Sequence, residues 1–212
     1  MKNIEELLYN TGIIPVVKIE DASKAVDLAK TFVKGGLPAA EITFRSDAAA
    51  EAIKLISENV PECFVCAGTV LTPEQAETAV KAGAKAIISP GTNPETVKWC
   101  IEHDVPVFPG CATPSEVEMN MRMGLKIVKL FPAEVVGGVG MLKALSGPYA
   151  SMKFMPTGGI KLSNVKEYLS LPNCIACGGT WISPVDAINE GRFDEIENKA
   201  RAAAELVRSL RA

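Results

Sequence analysis

Residues 63–89, CFVCAGTVLTPEQAETAVKAGAKAIIS, hold one complete structural unit. The apolar run CFVCAG, from Cys63, reads as a short buried strand. Thr72 then stands before Pro73, an N-cap followed by a residue whose fixed φ and missing N–H suit a first helical turn. TPEQAETAVKAGA carries its apolar residues at helical spacing, and Gly83 follows as a C-cap. AIIS, from Ala86, opens the next strand. The same alternation extends in both directions. Apolar runs start at Ile13, Pro38, Cys63, Ala86, Val105, Lys126, Lys153 and Cys174, roughly 20 to 27 residues apart, the period of a strand–helix unit. Asp21, Asn93, Thr113 and Ser163 precede helices as N-caps, Gly35 and Gly124 follow them, and Pro94 and Pro114 repeat the first-turn proline. Eight such units without a long polar linker predict an α/β protein. The expected form is a (β/α)8 TIM barrel, a single domain over residues 1–212, with an extra N-terminal helix over Asn3–Tyr9 and a long last helix over Asp194–Arg211. The competing doubly wound sheet calls for a glycine-rich first strand–helix turn, where this chain has Lys18-Ile19-Glu20-Asp21.

Composition narrows the function classes. For 212 residues, scaling of surface with mass leaves about 70% of the unfolded chain's surface buried on folding, enough for one full core. Hydrophobic residues at 48% and charged residues at 22% exclude a disordered chain. A net charge of −3 and few, scattered aromatics give no pull toward nucleic acid or an anionic membrane. No apolar run approaches the ~18 residues of a membrane span. The start, MKNIEELLYNTG, has no apolar core of a secretory signal, so a cytoplasmic chain with free thiols is expected. Cys63-x-x-Cys66 and Cys174-x-x-Cys177 match a zinc-ribbon spacing, but each pair sits in a strand-like run. Residues three apart on a strand face opposite sides, so the expectation is buried, inert thiols and no metal. The single histidine, His103, lies at a helix end, which leaves lysine and carboxylate chemistry.

In a barrel, polar side chains at the C-terminal strand ends read as functional. In KIVKLFP, alternation puts Ile127, Lys129 and Phe131 on one side and Lys126 on the other. Desolvation disfavours an ammonium ion, and a neutral amine can attack a carbonyl to form a Schiff base. Lys129 can equally be half of a buried ion pair, or a lysine snorkelling to the rim. Glu41, Thr43 and Arg45 share one side of the second strand. Glu41 reads as a general acid/base or as a counter-ion for Lys129 or Arg45. Arg45 reads as a surface residue, or as a clamp whose fork suits a carboxylate. Gly158-Gly159 and Gly178-Gly179 follow strands seven and eight, the usual place of a phosphate site built from backbone N–H groups. Thr180 can add a hydroxyl there and Lys18 a positive charge.

The strings EITFRS, GTVLTPEQ, KLFPAE and PTGGI, in this order, with GIIPVVKIED, ISPGTNPE, FPGCATPSE, GGVGMLKALSGPY and CGGTW, resemble the 2-keto-3-deoxy-6-phosphogluconate (KDPG) and 4-hydroxy-2-oxoglutarate (KHG) aldolase family over nearly the whole chain. That resemblance implies a class I aldolase, metal-independent and without a cofactor, on a (β/α)8 barrel that assembles as a homotrimer. Its substrate would be a phosphorylated small-molecule 2-keto acid. Lys129 would form the Schiff base and Glu41 would move protons. Arg45 and Thr69 would bind the substrate carboxylate. Lys18, Gly158, Gly159, Gly179 and Thr180 would hold the phosphate, while Thr157, Phe131 and Pro132 would touch the substrate. Relatives often carry serine where this chain has Thr180, and the hydroxyl is retained. Three other readings stand beside it. A 2-keto-3-deoxy-6-phosphogalactonate aldolase is expected to carry a neutral residue in place of Arg45. A phosphate-binding isomerase or synthase leaves Lys129 without a reason, and a silent barrel does the same for Glu41, Arg45, Thr69 and Lys129 together.

Overall fold

The computed structural model describes residues 2–211. Helix α1 (Lys2–Thr11) leads into β1 (Ile13–Val17), and α2 (Ala25–Lys34) carries the chain to β2 (Ala39–Thr43). Then follow α3 (Ala49–Asn59), β3 (Phe64–Gly68), α4 (Pro73–Lys81), β4 (Ile87–Ile88), α5 (Pro94–Glu102), β5 (Val107–Phe108) and β6 (Gly110–Cys111). The last third runs α6 (Pro114–Arg122), β7 (Ile127–Leu130), α7 (Gly138–Ser146), β8 (Lys153–Pro156), α8 (Val165–Leu169), β9 (Cys177–Gly179), α9 (Val185–Asn189) and α10 (Phe193–Arg211). Every ladder between these strands is parallel, as strand–helix–strand connections require.

The expected caps form where side chains can reach. Thr72 accepts from the Gln75 N–H and Asn93 from the Glu95 N–H. Thr113 and Glu116 make a reciprocal capping box. Ser163 does not cap its helix: α8 starts one residue later, with Asn164 in the cap position. At the end of α2, Gly35 keeps right-handed backbone and Gly36 takes the left-handed conformation, at φ 85°.

The named strands form two sheets rather than one ring of eight. One has the order β5-β4-β3-β2-β1-β9 and the other β6-β7-β8. The break between β5 and β6 falls on Pro109, which has no N–H to donate to a ladder. Its carbonyl still accepts from the Lys129 N–H at 2.9 Å. Gly110 follows because a Cβ there would collide with the Pro90 carbonyl. Between β8 and β9 the ladder is reduced to two isolated bridges, Phe154 with Cys174 and Thr157 with Gly178.

Strand side chains alternate between two apolar clusters. One contains Ile14, Ala39, Cys66, Ile88 and Phe108 from the first sheet, Ile127 and Met155 from the second, and Leu8 from α1. The other, on the opposite strand faces, packs Ile13, Ile42, Val65, Val128 and Phe154 against the helices.

All six cysteines are free and buried. Cys63 and Cys66 fall in different clusters, as strand alternation predicts. Cys174 and Cys177 do not: their sulfurs lie 3.7 Å apart. Cys174 precedes β9 in irregular backbone, so the two-residue period does not apply to it. Among the described residues, no group of three or more His, Cys, Asp or Glu is placed to hold a metal ion, and no helix is long and apolar enough to cross a membrane.

Leu8, 1% exposed, anchors α1 in the cluster shared by both sheets. Leu8→Ala is expected to cost ~2–5 kcal/mol of stability. Urea denaturation should show a lower midpoint with an unchanged slope.

Candidate active site

Two residues beyond several members of the shared cluster, the same strand face turns toward a cavity. Ala39 is followed on that face by Glu41 and Thr43, Ile127 by Lys129, Met155 by Thr157, and Ile14 by Val16. These residues line a cavity of about 200 Å³ at the C-terminal strand ends. A larger cavity, of about 530 Å³, lies by Ile4, Val105 and Leu125 near the strand starts; its lysine, Lys126, has no carboxylate bonded to it among the described residues.

The floor of the first cavity is an ion pair. Lys129 Nζ donates to Glu41 Oε1 at 3.1 Å, and the two side chains are 6% and 1% exposed. An unpaired charge at such depth is strongly unfavourable, so each ion requires the other. The Phe131 ring adds a face 5.4 Å from the ammonium. Parallel pairing sets Glu41 opposite Cys66 and Val16, and Lys129 opposite Gly110 and Met155. Space for the Glu41 carboxylate comes from Gly68, where a Cβ would lie 2.6 Å from Glu41 Cγ. The buried Cys66 thiol is pushed well above its ordinary pKa, first by desolvation and then by the Glu41 charge, and is therefore no nucleophile at neutral pH.

One wall carries Arg45 and Thr69. Arg45 Nε donates to Thr43 Oγ1 at 3.1 Å, and the guanidinium meets no carboxylate among the described residues. Thr69 holds φ 57°, a left-handed conformation that a β-branched residue rarely adopts. The opposite wall is the turn after β8. Gly158 and Gly159 have φ 99° and 79°, which favour glycine. A Cβ at Gly159 would also lie 2.7 Å from Glu134 Cβ. The Ala133 N–H donates to the Thr157 carbonyl at 2.8 Å and the Glu134 N–H to the Gly158 carbonyl at 3.1 Å, so the turn is tied to the loop that follows Lys129. Tyr168 donates to the Glu134 carboxylate from behind. The Thr157 hydroxyl is buried with no hydrogen-bond partner among the described residues.

Nine expected residues meet at this cavity: Lys129, Glu41, Arg45, Thr69, Phe131, Thr157, Gly158, Gly159 and Thr180. Three do not line it. Lys18 Nζ pairs with Glu20 at 2.7 Å, and Asn189 holds the other Glu20 oxygen. Gly179 packs under the Trp181 ring, and Pro132 lies behind Gly158. His103 is remote, stacked on Trp99 with centroids 4.2 Å apart. Gly178, from the second glycine pair, and Thr43 also line the cavity, together with Val16, Pro90 and Ile160, which the sequence reading leaves unmarked apart from the strand parity of Val16. Nothing in the sequence marks Pro90 or Ile160.

The chain has close relatives of known activity. Residues 4–199 match the family model described as KDPG and KHG aldolase. A 2-dehydro-3-deoxy-phosphogluconate aldolase from Haemophilus influenzae is 44% identical over 98% of this chain and 98% of its own. The KHG/KDPG aldolase of Escherichia coli is 42% identical over 96% of each chain. Among solved structures, a KDPG aldolase from Legionella pneumophila, with pyruvate captured at low pH as a covalent carbinolamine intermediate, superposes with a TM-score of 0.91 at 38% identity. That match covers 94% of this chain and 97% of the other.

Gly68→Ala is expected to cost ~1–3 kcal/mol by overpacking against Glu41. In a Glu41→Ala background the same substitution should cost less than half as much, because the atoms it strikes are gone. Chemical denaturation of the four proteins measures this coupling.

Proposed function

The chain belongs to the KDPG and KHG aldolase family, a family of lyases, and from that premise we propose that it is a class I aldolase that cleaves KDPG to pyruvate and glyceraldehyde 3-phosphate through a Schiff base on Lys129. The observation that carries this reading is the buried contact between Lys129 and Glu41 at the cavity floor. To act as a nucleophile the lysine must shed its proton, and Glu41 Oε1, at 3.1 Å, is an acceptor in reach. The amine then adds to the C2 ketone of the substrate. The resulting carbinolamine loses water to give an iminium, which draws electrons from the chain. A base, Glu41 directly or through one water, takes the proton of the C4 hydroxyl. The C3–C4 bond breaks, its electron pair enters the iminium, and glyceraldehyde 3-phosphate leaves. The enamine that remains is protonated at C3 and hydrolysed, which releases pyruvate and restores the lysine. The carbinolamine captured in the Legionella relative is the adduct that such an addition forms.

In this reading the Arg45 guanidinium and Thr69 take the carboxylate next to the ketone. The turn at Gly158 and Gly159, with Thr180, takes the phosphate, and Thr157 and Phe131 flank the reacting carbons. Lys18 would join the phosphate only by leaving Glu20. KHG, cleaved to pyruvate and glyoxylate, is a second substrate that needs no phosphate site. We infer further that the two sheets are arcs of one (β/α)8 barrel, with β5 and β6 as a single strand broken at Pro109. A core cluster drawn from both sheets and the bridges between β8 and β9 support this. One domain spanning 1–212, of which Met1 and Ala212 lie outside the described residues, a homotrimeric assembly and a cytoplasmic location complete the proposal.

The test is steady-state cleavage of KDPG, its phosphogalactonate epimer and KHG. KDPG should be the preferred phosphorylated epimer, with turnover unaffected by a chelator. Thr180→Val, which removes the hydroxyl and leaves the glycine turn intact, should raise KM for KDPG about tenfold, equivalent to ~1.4 kcal/mol, and leave KHG cleavage near wild type. Loss of activity to a chelator, or equal loss on both substrates, would contradict the assignment.

A further inference from the structure

Thr43 lines the cavity yet has no part in the chemistry proposed above. It is 1% exposed, on the last position of β2. Its hydroxyl has one proton, and that proton goes to the Val17 carbonyl at 2.8 Å, across the seam from β1. Toward Arg45 the oxygen can then only accept, which it does, from Nε at 3.1 Å. The donor order is unambiguous, because a guanidinium only donates.

This leaves a particular part of Arg45 available. A guanidinium offers a carboxylate two paired edges, one made of Nε and one Nη, the other of both Nη atoms. The first edge is engaged by Thr43. Arg45 is otherwise an exposed side chain with no ion-pair partner among the described residues. Its backbone is already constrained, since its N–H donates to the Thr43 carbonyl at 2.7 Å. Ser46, one residue on, bonds the Ile19 carbonyl, so both strand ends hold the segment. Without the Nε tether an arginine of this exposure samples many rotamers, and binding an anion must restrict them.

We propose that Thr43 is a positioning residue: it holds Arg45 by Nε so that the two Nη atoms meet the substrate carboxylate end-on beside Lys129. The hydroxyl contributes ordering before binding rather than a contact with substrate. This rests on the reading of Arg45 as the carboxylate clamp, and the experiment separates the two.

Thr43→Val keeps the β-branched shape and removes the hydroxyl. KM for KDPG and the dissociation constant of pyruvate should each rise about tenfold, with kcat within twofold of wild type. Thr43→Ser, which restores the hydroxyl, should return both toward wild type. In an Arg45→Ala background, Thr43→Val should add no further rise. Circular dichroism and thermal melting establish that each variant is folded, and Thr43→Ala serves in the same cycle if the valine variant is not. If Arg45→Ala raises KM while Thr43→Val does not, the proposal fails and the clamp stands. The same holds if Thr43→Val weakens binding equally in both backgrounds, which is the mark of a merely structural role. If Arg45→Ala itself leaves KM unchanged, the clamp assignment fails and takes the proposal with it.

Discussion

A lysine and a glutamate share one hydrogen bond at the floor of the cavity, 3.1 Å long and almost out of reach of water. Removing two ions from water costs several kcal/mol each, more than their attraction reliably returns. A chain selected for stability alone could fill this space with apolar side chains. Retaining the pair demands a strand parity that turns both residues inward and a glycine at position 68 that makes room for the carboxylate.

The rest of the site is arranged around that floor by the strand ends. Below it, the shared apolar cluster and Leu8 of α1 close the interior. Above it, β1, β2, β7 and β8 contribute Val16, Glu41, Lys129 and Thr157, each two steps beyond a cluster member, and the following loops add more. The glycine turn after β8 is joined by backbone hydrogen bonds to the loop that follows Lys129. That turn is therefore referenced to Lys129 through only a few covalent and hydrogen bonds. On the other wall, the Val17–Thr43–Arg45 chain ties the guanidinium to the end of β1. The proposed cleavage of a phosphorylated keto acid calls for this spacing, with one wall for each anionic end and Lys129 between them.

Much of this was legible in the chain before any coordinates. The period of the apolar runs gives eight strand positions, and two-residue alternation puts Lys129 on one side with Ile127 and Phe131, and Glu41 on one side with Thr43 and Arg45. Alternation alone does not decide whether that pair is catalytic or merely buried; the catalytic reading is what the family resemblance implies. What stayed hidden depends on contacts between distant segments. Lys18 looked like a free cation, but Glu20 two residues on reaches it, and Asn189 holds that glutamate in place. Gly178-Gly179 looked like a second phosphate turn, yet Gly179 exists to admit the Trp181 ring. The Cys174–Cys177 pair was read with a strand period that its irregular backbone does not obey. Pro109 interrupts a ladder inside a run, VPVFPG, that reads as one strand.

The central claim is that Lys129, and no other lysine, forms an imine with the keto acid. Incubating the protein with pyruvate and borohydride, then mapping the adduct by mass spectrometry, tests it directly. One reduced pyruvyl group per chain is expected, on Lys129, with activity lost in step. A protein that stays unmodified and active, or an adduct on Lys18 or Lys126, would contradict it.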